Sequence, residues 1–165
     1  MPKGVKVIDK GLTQILKRMT VAARGQVASV GVQGDKAQLM EHENSTNVEI
    51  YAVHEYGTKD GRIPERSSLR TTFDEKHPAY QKDLDEVGRK FFGLQKYEGE
   101  LMLLGEKMKK DVIEKIKSGI PPELAPSTIA STPKRKGSVP LWNTGQLVNA
   151  LTSVIVYRDR VGGEG

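Results

Sequence analysis

An α+β fold is predicted by three observations on this sequence. Two β-rich runs, 27–33 and 151–158, lie far apart in the chain. Several segments between and before them place apolar residues at steps of three and four. The 165 residues are 36% hydrophobic and 28% charged, enough for one modest core with a wet surface. A small sheet, with 4–8 as a third candidate strand, is expected to pack against an N-terminal helix and a long helical hairpin. The whole chain, 1–165, reads as one domain.

Taken in order, Lys10 to Arg24 sets Leu12, Ile15, Leu16, Met19 and Ala23 on one helical stripe that ends near Gly25. Val27 to Val32 reads as a strand. Residues 34–46 are polar and aperiodic, which predicts a loop. Asn47 or Thr46 is placed to cap a short helix through Ile50, Val53 and His54, stopped by Gly57. Pro64 suits a helix start, with Leu69 and Phe73 continuing the pattern. Tyr80, Leu84, Val87 and Phe91 follow, then Leu101, Leu104, Met108, Val112 and Ile116. One helix over 78–118 would run roughly 60 Å, too long for a small globule. Gly88, Gly93, Gly99 and Gly105 each weaken it by ~1 kcal/mol relative to alanine. The break is therefore set at Gly93-Leu94-Gln95, giving a hairpin whose apolar stripes face each other.

Ser118-Gly119-Ile120-Pro121-Pro122 ends that helix. Five of the eight prolines fall between Gly119 and Leu141, so 119–141 reads as an extended Pro-rich arm with at most a single turn at Thr128-Ile129-Ala130. Asn143 or Thr144 is placed to cap a helix carrying Leu147, Ala150 and Leu151, before the run Val154 to Tyr157. Residues 159–165 read as a disordered tail.

The composition excludes several chemistries. Without cysteine there is no disulfide, zinc–thiolate site, iron–sulfur cluster or thiol nucleophile. No apolar run reaches the ~20 residues of a membrane span, and Met1-Pro2-Lys3-Gly4-Val5 lacks the apolar core of a secretory signal. The net charge of +5 comes from basic residues mostly interleaved with acids, as in Asp83 to Glu86 followed by Arg89-Lys90. Lys134-Arg135-Lys136 is the one dense basic cluster. His42-Glu43 and His54-Glu55 do not extend into His-Glu-x-x-His, Gly31-Val32-Gln33-Gly34 lacks the last glycine of a dinucleotide loop, and Ser67-Ser68 and Ser127-Thr128 have no nucleophile elbow. No catalytic set, metal site or cofactor is expected.

Two local patterns remain. In the first, His54 to Thr58 leads into Arg62-Ile63-Pro64-Glu65-Arg66-Ser67-Ser68-Leu69-Arg70. Arg62, Arg66 and Arg70, four apart, would line one edge of a helix that starts early. They are either ordinary solvated arginines or partners for carboxylates of another subunit. In the second, Pro140 to Leu147 delivers Trp142 just before a capped helix. Trp142 reads first as a core plug or hydrophobic staple and second as an interface anchor.

In this order, and separated by a helical hairpin, the two patterns resemble the tail-completion (virion morphogenesis) proteins of tailed bacteriophages. The matching pieces are His54 to Thr58, Ile63-Pro64-Glu65-Arg66, Leu69-Arg70, Ile116 to Gly119, Pro121 to Ile129 and Pro140 to Leu147, within roughly residues 20 to 157. Ser67-Ser68 departs from the Pro-Phe usual there. The resemblance implies a non-enzymatic virion protein of the neck or tail end, assembled in the host cytoplasm. It would form a homo-oligomeric ring, a hexamer, that completes the tail and enables its joining to the head. Its partners would be the head–tail connector and the tail terminator or tube proteins, with viral DNA passing through unbound and no membrane involved. Arg62, Arg66, Arg70, Pro121, Pro122, Pro126, Lys134, Arg135, Lys136 and Trp142 are the expected subunit or partner contacts. A tail terminator capping the tube and a small basic nucleic-acid-binding module are the alternative functions.

Overall fold

The computed structural model of the chain describes residues 14, 16–17, 25–42, 45–131, 139–141 and 145–157. Its elements run β1 (Gln26–Val32), a 3₁₀ turn (Gly34–Gln38), β2 (Met40–His42), β3 (Ser45–Thr46), α1 (Asn47–Tyr56), α2 (Ser68–Phe92), α3 (Glu98–Ser118), α4 (Pro126–Ser131), α5 (Gln146–Ala150) and β4 (Leu151–Tyr157). This is an α+β fold. The expected strand 4–8, most of the expected helix 10–24 and the tail 159–165 lie outside the described residues; Gln14, Leu16 and Lys17 are helical.

β1 and β4 pair antiparallel from Gln26↔Tyr157 to Val32↔Leu151. The register gathers Ala28, Val30, Leu151, Ser153 and Ile155 on one face, since side chains alternate along a strand. α3 packs on that face. A Cβ built on Gly105 would lie 3.4 Å from the Ser153 side chain and 3.5 Å from that of Ala28, so the missing side chain brings helix and sheet close. Gly105 is therefore a packing residue within the helix rather than a break, and Gly88 and Gly99 are likewise helical.

The hairpin turns at Gly93, as expected. Leu94 sits at φ 58°, and Phe91 packs edge-on against Tyr97 at 5.1 Å. The Tyr97 hydroxyl donates to Gln26 Oε1 at 2.7 Å, tying the tip to the start of β1. α2 begins at Ser68 instead of Pro64 and continues through Pro78, where the surrounding residues are exposed and the carbonyl left without an N–H partner faces water. Leu84 also departs from its expected place: it is exposed, while Tyr80, Val87 and Phe91 are buried. Salt bridges Lys107–Asp83 (2.6 Å) and Lys115–Glu75 (2.6 Å) and a Lys90–Glu100 pair link the two helices.

The main core joins Tyr51 of α1, Val112 and Ile116 of α3, Ile120, Leu141, Leu147 and Val148 of α5, and Leu151 of β4. Distant parts of the chain therefore share one apolar cluster, and its burial supplies the driving force for their meeting. A smaller cluster of Tyr80, Leu104 and Met108 lies under Val30.

Three local expectations are corrected. The 34–46 stretch is not a plain loop: it holds the 3₁₀ turn and the β2–β3 hairpin, whose short pieces carry too little period to read. In the arm, the turn expected at Thr128-Ile129-Ala130 is longer, a helix at Pro126–Ser131, and the chain returns to the core at Leu141. α5 starts from Gly145 at φ 83° with no side-chain cap; Asn143 and Thr144 lie outside the described residues, and Leu151 belongs to β4. Among the described residues, no helix is long and apolar enough to cross a membrane.

Candidate functional site

The 54–70 stretch and the chain after Gly119 meet in one polar cluster. α1 begins with a capping box: the Thr46 hydroxyl accepts from Glu49 N, and Glu49 Oε2 accepts from Thr46 N at 2.8 Å. Donation from the Thr46 backbone N–H and hydroxyl holds the Glu49 carboxyl below the usual carboxylate range. α1 ends at Gly57, whose φ of 72° suits glycine. A Cβ there would lie 2.8 Å from Glu65 N, because the loop folds directly back over the helix end. Gly57→Ala is expected to lower stability by about 2 kcal/mol in urea unfolding, through both the left-handed conformation and the clash. A loss below about 0.5 kcal/mol would mean the loop yields at no cost.

The loop is closed by Thr58 N donating to Ile63 O (2.9 Å), Ile63 N to Thr58 Oγ1 (2.9 Å) and Arg66 N to His54 O (2.7 Å). Hydrogen bonds from the Thr58 side chain and the Arg62 backbone hold the exposed Asp60 carboxyl below its ordinary range.

At the centre is Glu55, only 6% exposed. Its Oε2 accepts from Ser68 N (2.8 Å), Leu69 N (3.1 Å) and Ser68 Oγ (3.3 Å); its Oε1 accepts from Ser67 Oγ (2.5 Å) and Arg70 N (3.0 Å). The first N–H groups of a helix have no partner within it, and the positive end of the helix dipole favours a negative charge. A carboxylate from the previous helix thus caps α2, whose own Ser67 makes no side-chain cap. Since the one proton of Ser68 Oγ goes to Glu55, the Tyr51 hydroxyl donates to Ser68 Oγ in a short hydrogen bond. Burial pushes the Tyr51 phenol well above its ordinary pKa, so it remains a neutral donor.

Chemically, this cluster organises backbone. The carboxylate is surrounded by the chain's own donors, and Ser68 is 0% exposed, leaving no approach for a substrate to that hydroxyl.

Arg66, 5% exposed, closes the other side: Nε donates to Pro122 O at 2.7 Å and one terminal nitrogen to Glu123 O at 3.0 Å. Arg66 therefore grips its own chain, which corrects the expectation that Arg62, Arg66 and Arg70 line one edge. Arg62 is exposed and pairs with Asp60 at 3.1 Å, while Arg70 pairs with exposed Glu65. Because α2 starts at Ser68, the spacing of four has no helix to act on.

Pro121 and Pro122, joined by a cis peptide bond, are exposed at the foot of the arm, and Pro126 opens α4 at the helix position where a missing N–H costs nothing. Lys134, Arg135, Lys136 and Trp142 lie outside the described residues. Sequence reasoning missed Glu55, Tyr51, Ser67 and Ser68 as a working unit. The available signal was a serine pair, favoured at helix starts, just before the Leu69 to Phe73 pattern. No family model, curated protein or solved structure matches the chain.

Proposed function

We propose that this chain is a structural virion protein of the neck or tail end of a tailed bacteriophage, assembling as a ring that completes the tail and enables head–tail joining. The reading rests on one observation. The motif that carries the resemblance, from His54 to Leu69, spends its polar groups on holding a rigid turn, with Glu55 and Arg66 satisfied internally. A motif used in this way presents shape. It offers neighbouring subunits the exposed loop residues Lys59, Asp60 and Arg62, and the exposed residues Pro126 to Ala130 of α4.

Charge distribution favours this reading over a nucleic-acid-binding module. Lysines and arginines of the hairpin sit in pairs with acids, as in Lys107–Asp83, Lys109–Glu106 and Arg89–Glu86. A duplex-binding face needs basic groups free to meet phosphates.

The test is genetic and structural. Phage lacking this chain should accumulate full heads beside separate tails in electron micrographs. A chain with 124–137 replaced by a short Gly-Ser linker should fold, losing only the helical circular dichroism of Pro126–Ser131, and fail to restore joining. Whole infectious particles made without the protein would overturn the proposal.

A further inference from the structure

The chain holds a single Asp-Gly step, Asp60-Gly61, in the loop between α1 and α2. An aspartate before glycine is chemically labile, because no side chain on the following residue shields its backbone nitrogen. That nitrogen attacks the side-chain carboxyl carbon: an N–C bond forms, a C–O bond breaks, and the amide proton leaves with the hydroxyl as water. Water then opens the cyclic imide. Cleavage at the side-chain carbonyl restores aspartate; cleavage at the main-chain carbonyl leaves isoaspartate, with the backbone running through the side-chain carbon. Nothing is oxidised or reduced, and the water lost in closure is regained in opening.

Access favours this reaction. The Asp60 side chain is 53% exposed, and no atom lies within 4 Å of where a Cβ on Gly61 would stand. The hydrogen bonds oppose it. Gly61 N, the nucleophile, donates to Thr58 O at 2.9 Å. The carboxylate, the electrophile, is held at both oxygens: Oδ1 accepts from Arg62 N at 3.1 Å, and Oδ2 pairs with Arg62 Nε at 3.1 Å. The Thr58 side chain also bonds to this carboxylate, and its Oγ1 accepts from Ile63 N at 2.9 Å. Together these bonds keep the group ionised, and an ionised carboxylate is a poor target for a nucleophile. Both reacting groups are therefore engaged elsewhere, although solvent reaches them.

We infer that Asp60 is a latent isoaspartate-forming site, and that the closed loop holds it unreactive, so modification there proceeds through loop opening. Opening an exposed loop takes less free energy than global unfolding, so the rate at Asp60 reports that local event. The product does not fit back into the closed loop. Isoaspartate lengthens the backbone by one methylene and carries its carboxylate on Cα, which displaces the groups that Gly61 N and Arg62 N meet.

The test incubates the full-length chain at neutral pH beside a peptide of residues 56–66. Isoaspartate at Asp60 is measured by isoaspartate-specific enzymatic methylation and peptide mapping. The peptide should react at least about tenfold faster than the folded chain, the factor by which closure withholds the reactive state. Thr58→Val and Arg62→Ala should each speed the reaction of the folded chain by at least about threefold, with circular dichroism unchanged. The Arg62 side chain is 87% exposed, so its removal leaves the fold intact even where Thr58→Val does not. A peptide that forms no isoaspartate at Asp60 would overturn the site. Equal rates in chain and peptide would overturn the guarding role of the loop. An Arg62→Ala chain that reacts no faster than wild type would show that the grip on the carboxylate is not the guard.

Discussion

Glu55→Ala should cost the protein about 3–4 kcal/mol of stability, read from urea unfolding at constant m-value. The side chain accepts from three backbone N–H groups of α2 and from two serine hydroxyls. Hydrogen bonds to a charged acceptor contribute roughly 1.5–3 kcal/mol each in favourable cases, and buried donors left bare add their desolvation cost. Water entering the vacated space recovers part of this, which brings the sum down to the expected figure. Glu55→Gln should lose about 2 kcal/mol, because one oxygen remains while the new amide N–H₂ faces donors. The ordering Ala worse than Gln worse than wild type is the signature of a carboxylate cap. If Gln matches wild type, the charge is not engaged with the helix start and the assignment falls.

Arg66→Ala should lower stability by about 3 kcal/mol and, as its separate mark, speed proteolysis between residues 119 and 131. The guanidinium supplies the recorded donors to Pro122 O and Glu123 O, and it is itself buried. Removing it leaves acceptors without their donors and opens a gap beside the proline pair. Arg66→Lys keeps the charge but not the planar fork that reaches two carbonyls at once. It should restore less than half the loss. A lysine variant indistinguishable from wild type in both unfolding and limited proteolysis would show that charge alone holds the segment.

Features set by neighbours in the chain were legible before the structure. Alternating valines predicted β1, a cap at Thr46 or Asn47 and a stop at Gly57 bounded α1, and the glycine at 93 marked the hairpin turn. Legibility failed where the deciding partner is remote. Pro64 suits a helix start, yet α2 waits until Ser68 because Glu55, thirteen residues earlier, supplies the cap there. Leu84 fits the apolar period of α2 and still faces out, since period alone does not say which part of a stripe a neighbour covers. Arg66 looked like a surface cation because its acceptors are backbone carbonyls, which carry no sequence signature. Gly105 was read as a flaw in a helix; only the sheet beneath it explains why a side chain is missing there.

The clasp on Pro122 spans 56 residues of sequence. During synthesis, the N-terminal half therefore emerges with a guanidinium that has no seat until the later stretch leaves the ribosome. A product cut short after α3 would keep that cation in water, without the carbonyls of Pro122 and Glu123 that seat it. Seating of that guanidinium therefore waits for the stretch beyond α3, while the turn itself closes on its own local hydrogen bonds.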